Sequence, residues 1–429
     1  MVELFWLRLC CVMSIFKIAT YSLDIRWFTA SMATMMIASV SHVYGLEAIV
    51  PYFFITSLVI FLSILVFQAI RLIVFYKDSV SELLNPEKSL YFFTFVAAIN
   101  LLGGCLSKIF HFHTTASIFW YVAITFWLGI SLASFSILFL YQKSQDRKIE
   151  ILHGGWFFAT VGTQSTAFLG IIVAEHATQY VTCIHLFSFA LWSIGASLYL
   201  IIAVFIVLRL VFYPFSNDTP LSPYWMNTGA AALTALTGTV LYQHIHIVNG
   251  PFVDFLPFLK GISLFFLSVG LWWLPFLVVL AIRRHISRND SLVFSVGYWE
   301  IAFALGICAY STIHMVRLFG GQYLVVASVC FYISCIILWC FSSVFTVVHL
   351  ARSSVWVPVN DLTINYVVPS SFKLRGSVFE VKKIVNEWLD QTVQGVLRKR
   401  YCVVINNNLT CLISYDMLAK KWYFDQIKD

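Results

Sequence analysis

Ser295-Val296-Gly297-Tyr298-Trp299-Glu300-Ile301-Ala302-Phe303-Ala304-Leu305-Gly306 opens an apolar run that continues to about Arg317. An aromatic pair, Tyr298 and Trp299, stands at its start, and such rings prefer the headgroup level of a bilayer. Small residues follow, Ala302, Ala304, Gly306 and Ala309. Side chains of that size let helix backbones approach closely or leave a lumen open. One bulky ring, Phe303, stands among them. The stretch reads as a membrane helix that lines a pore, with Phe303 obstructing it.

The same grammar recurs along the chain. Arg26-Trp27-Phe28 leads into Ala30, Ala33 and Ala38; Gly155-Trp156-Phe157 into Ala159, Gly162 and Ala167; Tyr224-Trp225-Met226 into Gly229, Ala230, Ala231 and Ala232. The tryptophans at 27, 156, 225 and 299 are separated by about seventy residues, with one gap about twice as long. Tyr91-Phe92-Phe93, followed by Ala97, Ala98, Gly103 and Gly104, fills that gap without a tryptophan. A period that holds two spans describes a repeated helical hairpin.

Composition agrees. The 429 residues are 60% hydrophobic and 11% charged, against about 25% charged residues in a soluble domain, and the mean hydropathy is +0.86. This is an integral membrane protein. The net charge of +7 is spread over short loops and a tail with no basic stripe, so it is not a nucleic-acid signature. The ten cysteines are scattered without paired CxxC motifs and read as small apolar residues of a bundle. Residues 1–20, within an N-terminal segment of residues 1–24, do not read as a cleaved signal, because Glu3, Arg8 and Lys17 break the apolar stretch. They are expected to form a cytoplasmic or interfacial segment.

A bilayer core needs about 20 apolar residues per helix. On that ruler residues 25–351 hold ten spans. Spans one, three, five, seven and nine carry the Gly and Ala clusters; the even spans are longer and bulkier, as in Leu58-Val59-Ile60-Phe61-Leu62. The expected fold is all-α: five helical hairpins, slim helices inside and bulky ones toward lipid, around a central pore. Loops after even spans carry Arg71, Lys77, Lys88, Lys143, Arg147, Lys148, Arg209, Arg283, Arg284 and Arg288; loops after odd spans carry only Lys108, Lys260 and Arg317. The positive-inside rule therefore places both termini in the cytoplasm of a cell whose plasma or inner membrane holds the protein. The sequons at Asn217 and Asn408 then fall on the wrong face for glycosylation. Residues 352–429 read as a small α+β cytoplasmic tail: Val357-Pro358-Val359-Asn360-Asp361 a linker, Ser377–Leu397 a helix from its apolar spacing, Tyr401–Ile405 and Thr410–Tyr415 strands joined by an Asn406-Asn407-Asn408 turn.

Among the inner spans Glu300 is the exceptional carboxylate, and an acidic ring would mark a cation pathway. Hydroxyls at Thr34, Thr160, Thr163, Ser165, Thr228, Thr234 and Thr237 are available instead, which suits an anion unless they bond back onto their own helices. Phe303 is the candidate gate. Thr34, Ala98, Gly162, Thr228, Ala302 and Gly306 are the candidate pore lining. His111-Phe112-His113, Glu175-His176 and His244-Ile245-His246 fall near span ends. Residues at i and i+2 of a helix point to different faces, so neither histidine pair makes a chelate, and interfacial histidines are expected. A histidine-liganded redox enzyme is the remote alternative. No HExxH, nucleophile elbow or Gly-rich phosphate loop is present, so neither enzyme chemistry, a metal nor a cofactor is expected.

Tyr298-Trp299-Glu300-Ile301-Ala302-Phe303-Ala304-Leu305 resembles the ninth helix of the tellurite-resistance/dicarboxylate transporter family, which includes the plant slow anion channels. That helix has two aromatics, three variable residues, then Phe-Pro-Leu; here Ala304 stands at the proline position. Tyr224-Trp225-Met226-Asn227-Thr228-Gly229-Ala230 is similar to the family's seventh helix. The resemblance covers about residues 25–350. It implies a homotrimer of ten-helix pores, each blocked by a phenylalanine at the position of Phe303. The implied function is an anion channel or anion-selective transporter for small inorganic or organic-acid anions. The alternative is a proton-coupled transporter of dicarboxylate, sulfite or another oxyanion, with Glu300 or a histidine carrying the proton.

Overall fold

The computed structural model describes residues 23–140, 151–213, 221–248, 253–288, 295–353, 371–374, 377–391, 397–405, 410–416 and 421–428. Residues 1–22 of the N-terminal segment, the 357–361 linker, the 406–408 turn and the asparagines of both sequons lie outside the described residues. Ten long helices run α1 Phe28–Val43, α2 Val50–Val74, α3 Phe93–Lys108, α4 His113–Leu140, α5 Phe157–Ala174, α6 Val181–Phe212, α7 Met226–Val248, α8 Leu256–Arg288, α9 Gly297–Phe319 and α10 Gln322–Ser353. A short surface helix, Tyr76–Leu83, follows α2. Eight of the ten are long and apolar enough by themselves to cross a membrane. The other two are α1, with 16 residues, and the Thr- and Gly-rich α7.

The hairpin grammar has a structural counterpart. Four slim helices follow a 3-10 turn that carries one or both aromatics of the pair: Ile25–Trp27, Ser89–Phe92, Gly154–Trp156 and Ser222–Trp225. α9 starts on equivalent i to i−3 bonds, from Tyr298 N to Ser295 O and from Trp299 N to Val296 O. The slot without a tryptophan, Tyr91-Phe92-Phe93, is built like the others. Between α9 and α10 the chain reverses at Gly320 and Gly321, with φ of +69° and +98°, a left-handed backbone that side-chain-bearing residues resist.

The odd helices touch in sequence, α1 to α3, α3 to α5, α5 to α7 and α7 to α9, and α9 returns to α1. They form a closed ring of five. The even helices lie outside it. In the membrane-length windows α3, α5 and α9 are 67–100% buried and the even helices 17–28%, and α1 and α7 are mostly buried too. The exposed aliphatic and aromatic side chains of α2, α4, α6, α8 and α10, such as Leu62, Phe126, Ile201, Phe276 and Val326, suit lipid tails.

Lipid gives apolar helices no hydrophobic reason to associate, so close packing and interhelical hydrogen bonds must hold the ring. Both are present. A Cβ on Gly162 of α5 would lie 2.6 Å from the Phe93 ring of α3, and one on Gly229 of α7 would lie 3.3 Å from Ala304 of α9. Outer-helix tryptophans also donate to the inner helix of the next hairpin. Trp127 of α4 reaches Thr163 of α5 (2.9 Å), Trp192 of α6 reaches the Thr234 carbonyl of α7 (3.1 Å), and Trp339 of α10 reaches Thr34 of α1 (2.8 Å). The last of these joins the end of the bundle to its beginning.

The C-terminal residues from Ala351 group as a second unit. Among its described residues it is an antiparallel meander, β1 Ser371–Leu374, β2 Ser377–Gln391, β3 Leu397–Ile405, β4 Thr410–Asp416 and β5 Lys421–Lys428, in sheet order 1-2-3-4-5. β3 and β4 fall where the sequence reads strands. The helix expected over Ser377–Leu397 is corrected: residues 377–391 form β2. The β2–β3 register shifts between Val381 and Lys383 and again between Ile384 and Asn386. Each β-bulge inserts one unpaired residue. Two register steps then span three residues, from Val381 to Ile384, which imitates a helical period.

Candidate functional site

The turns that open the odd helices collect at one end of the ring, where neighbouring turns touch. Asp24 caps the first turn and pairs with Arg26 at 2.5 Å. Burial alone would raise the Asp24 carboxyl, but the Arg26 guanidinium outweighs it and holds Asp24 below its usual range. Arg26 also lies 3.7 Å from the fully buried Glu300 of α9 and 5.0 Å from the Tyr91 ring centroid. Tyr91 donates to His153 Nδ1 at 3.3 Å, and His153 Nε2 donates to the Glu87 carbonyl at 2.8 Å. One polar chain thus runs across the starts of α9, α1, α3 and α5. Burial pushes His153 down to about 4, with Arg26 and Arg209 adding to the effect, so it is neutral at neutral pH.

Phe303 lies one helical turn beyond Glu300 and is fully buried, between the buried Ala302 and Ala304. α9 runs unbroken through Ala304. Phe303 and Tyr310 are seven residues apart, close to two full turns, so they leave the helix from the same face about 10 Å apart. Tyr310 lines a pocket with Met36 and His42 of α1, Leu101, Gly104 and Lys108 of α3, and Phe168 of α5. Its volume of about 20 Å³ is little more than one water requires. α5 and α9 are not neighbours in the ring, yet both line this pocket. It therefore lies inside the ring, toward the end where the odd helices finish.

The other residues singled out from sequence divide. Thr34 donates to Ala30 O (2.7 Å) and accepts from Trp339, so its hydroxyl belongs to a helix seam. Gly162 is the close approach to Phe93, and a Cβ on Gly306 would meet Met36 at 2.7 Å and Cys335 at 3.1 Å. Ala98, Thr228 and Ala302 are buried on inner helices. Five of the seven candidate hydroxyls, on Thr34, Thr163, Ser165, Thr234 and Thr237, donate back to their own helix. Those of Thr160 and Thr228 are buried without a hydrogen-bond partner.

At the pocket end, residues from separate hairpins converge. Lys108, the last residue of α3, pairs with Glu175 just beyond α5. His244 Nδ1 of α7 lies 3.6 Å from the other Glu175 oxygen. The His244 ring lies 4.5 Å from that of His185, and His113 stacks on His176 at 3.5 Å. Burial opposes charge on Glu175, but hydrogen bonds from His244 and Lys108 hold it below the ordinary carboxylate range. Burial and His113 push His176 down. Sequence reading placed His113, His176 and His244 at span ends but not together, and did not single out His185. The paired Glu175-His176, at the end of a slim span, was the available signal. No group of three metal-ligating side chains forms among the described residues.

A multi-pass bundle with lipid-suited outer helices and a narrow pocket inside its inner ring defines a class: integral membrane proteins that move solutes. The chain belongs to the SLAC1 family, described as voltage-dependent anion channel, whose sequence profile matches residues 22–347. It is similar to two uncharacterized transporters of Methanocaldococcus jannaschii. One is 24% identical over 69% of this chain and 85% of its own length, the other 24% identical over 68% and 82%. An uncharacterized membrane protein of Mycobacterium tuberculosis is 30% identical over 26% of this chain and 55% of its own length.

Proposed function

We propose that the ring of odd helices surrounds a conduit for small inorganic or organic-acid anions, closed at rest by Phe303. Ten spans, both termini in the cytoplasm and a homotrimer of such conduits complete the reading. The observation that carries it is Phe303 itself: fully buried, on the α9 face that lines the interior pocket two turns farther on. Five helix starts gathered at one end favour negative charge there, and Lys108 stands at the other. Ala98, Thr228 and Ala302 are the lining we retain, with the uncommitted hydroxyl of Thr160 added. Phe303→Ala should raise anion current severalfold in oocyte or bilayer recordings with ion substitution. A properly inserted variant with unchanged current would sink the gate.

Proton-coupled transport is the second reading, and the buried Glu300 one turn before Phe303, facing Arg26, favours it. Flux in proteoliposomes that ignores an imposed pH gradient would exclude it.

A further inference from the structure

We propose that the interior pocket is an anion-admission site whose cation, Lys108, is held by Glu175 and released when His244 gains a proton. The inference rests on the conduit reading and names how one mouth of it is regulated. Lys108 lines the pocket, and its side chain keeps 41% of its surface exposed. Its ammonium is nevertheless occupied, because Glu175 supplies the carboxylate that a permeating anion would supply. Glu175 is shared. One oxygen meets Lys108 and the other faces His244, whose side chain is only 8% exposed.

His244 Nε2 and His185 Nε2 are buried without a hydrogen-bond partner. Around the Lys108–Glu175 pair stand His111, His113 and His176, His185, His244, and on α9 His314 and Arg317. At the pocket rim His42 pairs with Glu47 at 2.9 Å. Cations and titratable imidazoles thus outnumber carboxylates at this mouth. A proton on His244 turns a weak contact with Glu175 into an ion pair. Glu175 then divides between two cations, and Lys108 turns toward the pocket. An organic carboxylate or a halide meets a free ammonium there, so acid on this side favours anion entrance. The sign follows from charge alone, since each proton adds positive charge where an anion must pass.

The test uses the full-length chain with Phe303→Ala as background and pH changed on one side at a time. Lowering pH from about 7.5 to about 5.5, where ordinary histidines titrate, should increase chloride current from one side. Glu175→Gln should raise the neutral-pH current about threefold, the effect of one unit charge roughly 6 Å away under near-water screening, and flatten the acid response. His244→Gln should lower the ratio of acid to neutral current, more than replacement of any other histidine at this mouth; an unchanged ratio would overturn the lock. Lys108→Met should lower current at all pH values and make an added Glu175→Gln silent.

A second readout does not need conduction: chloride and succinate titrations of purified protein, followed by thermal stabilisation. Glu175→Gln should lower the half-saturating concentration about threefold by the same charge argument. If Phe303→Ala passes no current but the titrations shift, the conduit fails and the lock stands. If Glu175→Gln moves neither current nor half-saturation, the lock is wrong whatever Phe303 does.

Discussion

A phenylalanine without exposed surface in the middle of an inner helix admits two roles, which its removal separates. As core packing, Phe303→Ala leaves a cavity and costs about 3–5 kcal/mol. As a plug among the small neighbours Ala302 and Ala304, it is removed at lower cost and current rises, so thermal stability and conductance should be measured on the same variant. His153 supports a residue-scale prediction of another kind. Its folded-state value is about 4, against about 6.5 for an ordinary histidine. Between those values the unfolded chain binds more protons, so folding stability rises with pH. The His153 contribution is complete above about pH 6.5 and is lost as pH falls toward 4. His153→Gln, which keeps an acceptor for Gly155 N, should flatten this slope in thermal unfolding of detergent-solubilised protein. The burial of Phe303 on an inner helix was legible in the sequence, because a lone ring among alanines breaks a pattern. The Lys108–Glu175–His244 cluster was not, because its members come from the second, third and fourth hairpins and meet only when the ring closes.

Helices repeat what their first residues announce. The aromatic pairs were readable because they sit at helix starts that the fold builds alike five times, and one of them was found without its tryptophan. The slim stretches after them have a physical reason beyond a lumen: they let inner helices touch. A Cβ at Gly162 would lie 2.6 Å from the Phe93 ring, whereas one at Gly129, on the outer face of α4, meets nothing within 4 Å. Gly162→Ala should reduce folded yield and melting temperature. Gly129→Ala should be neutral or stabilise by up to about 1 kcal/mol, the helix preference for alanine. Equal effects would remove the packing argument. Where sequence reading failed, in β2, the cause is also local. Bulges at two points re-phase the strand, and a period count cannot tell a re-phased strand from a helix.

For the molecule as a whole, the alternation of slim and bulky spans foretold which helices are inside, but not that α9 would return to α1. That closure depends on contacts between residues hundreds of positions apart, such as the close approach of Gly306 on α9 to Met36 on α1. The proposed orientation rests on loop charge and can be checked directly. Cysteines at Glu47 and Glu87, placed in the α1–α2 loop and ahead of α3, should react with a membrane-impermeant maleimide from opposite sides, with Glu87→Cys reached only from the cytoplasm. Labelling of both from one side would overturn the ten-span topology. The bond from Trp339 to Thr34 has a consequence for biosynthesis. A nascent chain that has threaded nine helices into the bilayer can already close its inner ring, but its first segment still exposes a seam meant for protein. The last helix is the clasp, and a chain stopped before it should be a substrate for membrane quality control.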